Sequence, residues 1–204
     1  KNNYLIVLPF GQKKRTLYKK KKINKNYIWL TFDDGYSDHV SYVLPELKKK
    51  NIKASFFPVV NSLEKKKVIP ANLIHLILSK IKNNDKFFQE IIKILIEKKV
   101  SSKYLKNLKY KKNISRFDNN IIYKIKQLLQ KDLSKKIRED ILDYFFKKYV
   151  KSSMSNILDK LYFDINEAKE IIADGHEIGM HTANHPWMET LNFEAQQNEI
   201  KKNI

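Results

Sequence analysis

Tyr27-Ile28-Trp29-Leu30-Thr31-Phe32-Asp33-Asp34-Gly35 is the stretch on which the reading of the chain turns. Six residues rich in β-branched and aromatic side chains predict a buried strand over 27–32. Asp33-Asp34-Gly35 ends it in a turn, where glycine suits backbone that must fold back sharply. A loop over Tyr36 to Asp38 follows. Val40, Val43, Leu44 and Leu47 then recur at the i, i+3, i+4, i+7 spacing of a helix. Pro45 predicts that the regular part begins beside it, and Lys48 to Lys50 suit the negative end of the helix dipole. Ala54 to Val60 predicts a second buried strand, so strand, helix and strand have the spacing of a right-handed βαβ unit. The fold class read from this is α/β.

From Asn61 to Phe163 the pattern changes to amphipathic helices. Leu73/Ile74/Ile77/Leu78/Ile81, Phe87/Phe88/Ile91/Ile92/Leu95, Ile121/Ile122/Ile125/Leu128/Leu129 and Ile137/Ile141/Leu142/Phe145/Phe146 each form an apolar stripe, with Ser101 to Asn120 irregular at least in part. His75 falls on the apolar face of the first stripe and reads as packing or as a hydrogen-bonded helix residue rather than as a ligand. The α/β pattern resumes where Asp164 can cap a helix over Ile165 to Ala173, with Glu167 in its first turn and Gly175 placed to end it. Glu177 to Met180 then predicts a short strand that delivers His181 to a loop. The expected organisation is therefore residues 1–60, an α-helical insertion over 61–163, and a continuation over 164–204. Both glycine-bearing segments lie at carboxyl ends of strands, the side on which α/β folds build ligand sites.

Composition narrows the chemistry. The 204 residues contain no cysteine, so a disulfide framework and a thiolate metal or redox site are excluded, and any metal must be held by His, Asp or Glu. The longest apolar runs, Tyr4 to Phe10 and Leu73 to Leu78, fall far short of the roughly 20 residues that a membrane span needs. A net charge of +19 invites a polyanion reading. Arginine, which grips phosphate bidentately, occurs only at Arg15, Arg116 and Arg138, while lysine is spread along the whole chain. Solvated surface lysine is the better account, and no specific nucleic-acid partner is expected. The basic run Lys13 to Lys22 reads as a solvated stretch or a contact for anionic headgroups.

His181-Thr182-Ala183-Asn184-His185 places two imidazoles four residues apart, which a helical turn would aim the same way, as a divalent metal requires. Such a pair also arises by chance. Asp33 and Asp34 strengthen the metal reading, because two imidazoles and one carboxylate make a facial triad with coordination positions left open. Paired aspartates also allow one to bind the metal while the other serves as base.

Thr31-Phe32-Asp33-Asp34-Gly35 together with His181-Thr182-Ala183-Asn184-His185, preceded by Gly175-His176-Glu177-Ile178-Gly179, resembles the first two motifs of the polysaccharide deacetylase family, the NodB-homology domain. Pro45-Glu46-Leu47-Lys48 and Asn51-Ile52-Lys53-Ala54-Ser55-Phe56-Phe57 are similar to its flanks. The resemblance covers roughly residues 27–60 and 164–204. It implies a distorted (β/α) barrel that removes N-acetyl groups from amino sugars of a polysaccharide or surface glycan, using zinc or a similar divalent ion. It further implies Asp34, His181 and His185 as the metal ligands and Asp33 as the general base. The family's later motifs, which supply an arginine and aromatic groove wall, a backbone oxyanion contact and a histidine acid, would fall beyond Ile204. The chain opens on Lys1 and stops inside a helical pattern, so both ends are expected to be cut from a longer protein and the barrel to be C-terminally incomplete. The helical insertion has no counterpart in compact members. A bacterial cytoplasmic or cell-envelope location is expected.

Blander readings stand beside these. Asp33 also suits a helix cap, and Thr182 a loop-shaping hydrogen bond. His176 reads as structural or as support for a ligand. His39 and Asp38 suit either the cleft or the start of the following helix. Trp187 suits packing or a sugar-stacking face. Rival functions are a degenerate glycan-binding relative without activity, a deacylase of another amide or ester, and a basic nucleic-acid binder.

Overall fold

The computed structural model describes residues 4–6, 26–100 and 115–202. The basic run over 13–22 and most of the segment expected to be irregular, residues 101–114, lie outside them. Its contacts divide the chain into two compact units, one of Lys1–Val68, Met154–Pro186 and Asn192–Ile204, the other of Ile69–Ser153 and Trp187–Leu191.

In the first unit, β1 (Tyr4–Ile6) pairs in parallel with β2 (Asn26–Ile28). A separate parallel sheet has the order β3 (Thr31–Asp34), β4 (Ser55–Pro58), β5 (Glu177–Ile178). Register places Phe32 beside Phe56, Asp34 beside Pro58 and Phe56 beside Ile178. The single buried strand expected over 27–32 is thus two strands. The backbone changes partner at Trp29 and Leu30, where the Leu30 carbonyl accepts from Ser55 N–H and the Trp29 indole donates to Ser55 Oγ. β3 alternates exposed and half-buried residues, since it packs one face on the core, where Phe32 stacks on Phe56 at 5.1 Å. β4 is the buried strand that its sequence predicts.

The connection from β3 to β4 follows the expected pattern. A π-helical turn over His39–Val43 leads into α1 (Leu44–Lys49), with Pro45 in its first turn and Lys48 and Lys49 in its last. Leu44 and Leu47 turn inward to a core shared with Ala54, Phe56, Phe163 and Ile171. After β4 comes the short α2 (Val60–Leu63).

The second unit contains α3 (Pro70–Leu78), α4 (Asn84–Glu97), α5 (Asn120–Lys126) and α6 (Lys135–Phe145). π-helical turns extend α5 through Asp132 and α6 through Val150. Leu73, Phe87, Ile91, Ile125, Ile141 and Phe145, drawn from the predicted stripes, are all buried, and the Phe87 and Phe145 rings meet edge to face at 4.7 Å. His75 departs from expectation: it is exposed, because α3 turns Leu73, Ile74 and Ile77 inward and leaves residue 75 on the opposite side. Trp187 is 47% exposed, with Lys131 Nζ 5.2 Å from its ring centre.

The first unit resumes with α7 (Met154–Leu161) and α8 (Ile165–Ala173). Asp164 caps α8 in a full capping box: its carboxylate accepts from the N–H groups of Asn166 and Glu167, and its own N–H donates to Glu167 Oε2. Gly175, at φ +82°, ends the helix and turns the chain into β5. A turn over Met188–Thr190 precedes α9 (Phe193–Lys201). The result is an α/β fold with a small parallel sheet and many helices. The expected barrel is not seen among the described residues, whose largest sheet has three strands, whereas a closed barrel of this kind needs about eight.

Candidate metal centre

Asp34 is the last residue of β3 and adopts φ +71°, with Gly35 following at +78°. Two left-handed residues in succession turn the chain abruptly out of the sheet. The turn is held from behind, where Phe163 N–H donates to the Gly35 carbonyl and Tyr36 forms an antiparallel bridge with Tyr162. A Cβ on Gly35 would lie 2.8 Å from Pro58 Cβ, so the close approach of β4 demands glycine here. The Tyr36 ring stacks on that of Tyr162, and its hydroxyl donates to Asp34 Oδ2 at 2.9 Å. With Oδ2 so engaged, Oδ1 faces the histidines.

His181 and His185 reach the same place from the loop after β5. Asp34 Oδ1 is 3.2 Å from His181 Nε2 and 3.4 Å from His185 Nε2, with the imidazole centroids 4.9 Å apart. One ligand atom from each of the three residues lies within 4.8 Å of the others. The histidine pair is not on a helical turn. Thr182 and His185 have φ of +64° and +54°, so the loop doubles back between them, and His185 N–H donates to Thr182 Oγ1 at 3.0 Å. A β-branched residue in the left-handed region is strained, which fits an over-determined functional loop.

The determinants are visible. Val60 and Asn61 N–H groups donate to the carbonyls of Thr182 and Ala183. Asn61 Nδ2 donates to Asn184 Oδ1 at 2.7 Å. From α9, Glu199 accepts the N–H groups of Ala183 and Asn184 on Oε2, at 3.1 and 2.9 Å, and Asn184 Nδ2 on Oε1 at 2.7 Å.

Charge is arranged to match. Burial raises the pKa of Asp34, but hydrogen bonds from His181 and Tyr36 and the charges of both histidines outweigh it and hold the carboxyl below its ordinary value. The hydrogen bond to Asp34 pushes His181 up against the opposing effect of burial, whereas burial pushes His185 down. One oxygen and two nitrogens, with no thiolate, form a donor set suited to zinc and similar divalent ions. The residues present therefore fit the ion that the sequence suggests.

The family model described as Polysaccharide deacetylase matches residues 20–77 and 130–204, more than half of the chain. The chain belongs to the polysaccharide deacetylase family. Neither a curated protein nor a solved structure matches it. Membership makes the chain a carbohydrate deacetylase-type hydrolase, and the family is in general metal-dependent.

Other deacetylase-motif residues divide clearly. Asp33, beside Asp34, is exposed, and its charge reaches both His181 and His185. His176 is buried against Phe56 and accepts from Ala54 N–H through Nδ1, so it supports the strands and stands apart from the triad. His39 is buried among the rings of Phe32, Tyr36, Phe56 and Phe163, and its pKa is lowered by burial. Asp38 makes no side-chain cap. Sequence reasoning missed Tyr36, Asn61 and Glu199. Tyr36 was detectable as the polar ring two residues beyond Asp34, but nothing in the sequence separates Glu199 from Glu194 on the same helix.

Proposed function

We propose that this chain is a metal-dependent N-deacetylase that removes acetyl groups from the amino sugars of a polysaccharide or surface glycan. The observation that carries the proposal is the meeting of Asp34, His181 and His185. Nearly 150 residues separate the two segments, yet the three donor atoms converge.

In this reading Asp34 Oδ1 and the Nε2 atoms of the two histidines hold the ion, most suitably Zn2+. When bound, the ion supplies a Lewis acid for the acetamide carbonyl and lowers the pKa of water to near neutrality. Asp33 is the base. It sits next to a ligand without being one, and it is open to solvent, so its carboxylate can accept the proton of the attacking water. Tyr36 keeps Asp34 Oδ2 occupied and so aims Oδ1, while the loop bonds hold the backbone that carries the two histidines. The partner in this reading is the N-acetylated glycan. Among the described residues, no helix is long and apolar enough to cross a membrane.

The test combines metal content with acetate release. One zinc per chain is expected for the wild type and none for Asp34→Ala or His181→Ala. Asp33→Asn should keep the metal but lower acetate release from N-acetylglucosamine oligomers by about 10²–10⁴-fold, the usual contribution of a general base. Metal retained in the ligand variants, or acetate release undiminished in Asp33→Asn, would refute the assignment. Faster release from O-acetyl esters than from the acetamide would move the reading to an esterase.

A further inference from the structure

We infer that Glu199 is a positioning residue for the metal site, acting through the backbone of the loop that carries both histidines. The inference rests on the metal-site reading above. Ala183 and Asn184 lie between the two ligands, and their successive N–H groups converge on one carboxylate oxygen, Glu199 Oε2, at 3.1 and 2.9 Å. The second oxygen takes Asn184 Nδ2, whose amide oxygen is in turn bonded by Asn61 Nδ2. A carboxylate bound by two consecutive amides and a side-chain amide makes charge-assisted hydrogen bonds, the stronger kind. The loop needs them because Thr182 and His185 both adopt left-handed backbone, a conformation that persists only where its surroundings enforce it. Residues 60 and 61 hold the loop by its carbonyls, and Glu199 holds it by its amides. Without the carboxylate, two adjacent amides lose their acceptor, the backbone at 182–185 relaxes, and His185 Nε2 moves out of register with Asp34 Oδ1. Glu199 is not among the three residues whose donor atoms converge. Its effect is geometric.

The experiment measures zinc affinity by competition with a chelating dye for the wild type, Glu199→Ala, Glu199→Gln and Glu194→Ala. Alongside it, amide hydrogen exchange at Ala183 and Asn184 is followed in metal-free protein. Glu194, exposed on the same helix, controls for the loss of a negative charge. Glu199→Ala should weaken zinc binding about tenfold or more, within the 10–100-fold that outer partners of metal ligands command. Glu199→Gln, which keeps an acceptor oxygen, should lose less, and Glu194→Ala should stay within about twofold. Exchange at the two amides should accelerate in Glu199→Ala. Wild-type affinity in Glu199→Ala, a loss matched by Glu194→Ala, or unchanged exchange would overturn the inference. If Glu199→Ala does not fold, Asn184→Ala, which removes the side-chain arm of the clamp, is held to the same affinity criterion. A wild type that binds no zinc refutes the metal site and the inference with it. A wild type that binds while Glu199→Ala binds equally refutes the clamp alone.

Discussion

Gly35→Ala and Gly175→Ala make a matched pair that separates backbone strain from steric conflict. Both glycines are left-handed, at φ +78° and +82°, and an L-residue in that region costs about 1–2 kcal/mol. They differ in what a methyl group would meet. At Gly175 the nearest atoms are Cε and Nζ of the Lys53 side chain, 3.5 and 3.7 Å away, an ordinary contact with a flexible group. At Gly35 the methyl would lie 2.8 Å from Pro58 Cβ and 3.1 Å from Pro58 Cα, against backbone that β3 pairing fixes in place. Overpacking of that kind adds about 1–3 kcal/mol. The expected losses are therefore about 1–2 kcal/mol for Gly175→Ala and about 2–5 kcal/mol for Gly35→Ala. Urea unfolding followed by tryptophan fluorescence reports both, since Trp29 lies in the same unit. Gly35→Ala should also weaken zinc binding, because relief of the clash displaces Asp34, whereas Gly175→Ala should leave it intact. Equal losses in the two variants would refute the argument that the approach of β4 is what demands glycine after the aspartate pair.

Two further expectations follow from the site. Zinc affinity should fall as pH is lowered, because ligation needs neutral imidazole. His181, raised by its bond to Asp34, meets proton competition at a higher pH than free imidazole, whose pKa is about 6.5. Below that point affinity should drop about tenfold per pH unit, one proton per ion, and His185, lowered by burial, should add a second proton only further down. Isothermal titration between about pH 8 and pH 5 checks this, and a flat profile would refute it. His176→Ala should destabilise the protein by at least about 1–3 kcal/mol, since it leaves the buried Ala54 N–H without its acceptor. Its zinc stoichiometry, measured on the same sample, should stay at the wild-type value, and loss of the ion would make His176 a ligand.

The sequence by itself determined the local elements and the identity of the chemistry-bearing residues. Apolar spacing over 40–47, the Asp164 and Glu167 capping pair, and the helical stripes from Leu73 to Phe146 act over a turn or two of chain, and each appears where its spacing predicts. The two motifs were legible for the same reason, since aspartate pairs and spaced histidines are recognisable within five residues. Tertiary structure decided what those signals leave open. The division of the stretch 27–32 between two sheets depends on which backbone groups are free to pair, and the exposure of His75 on which side of α3 faces the core. Only the folded chain brings Asp34 to within hydrogen-bonding reach of two histidines nearly 150 residues away. Only packing selects Glu199 over Glu194 to hold the loop between them, because a carboxylate's role is set by the donors placed around it, and those donors come from distant parts of the chain.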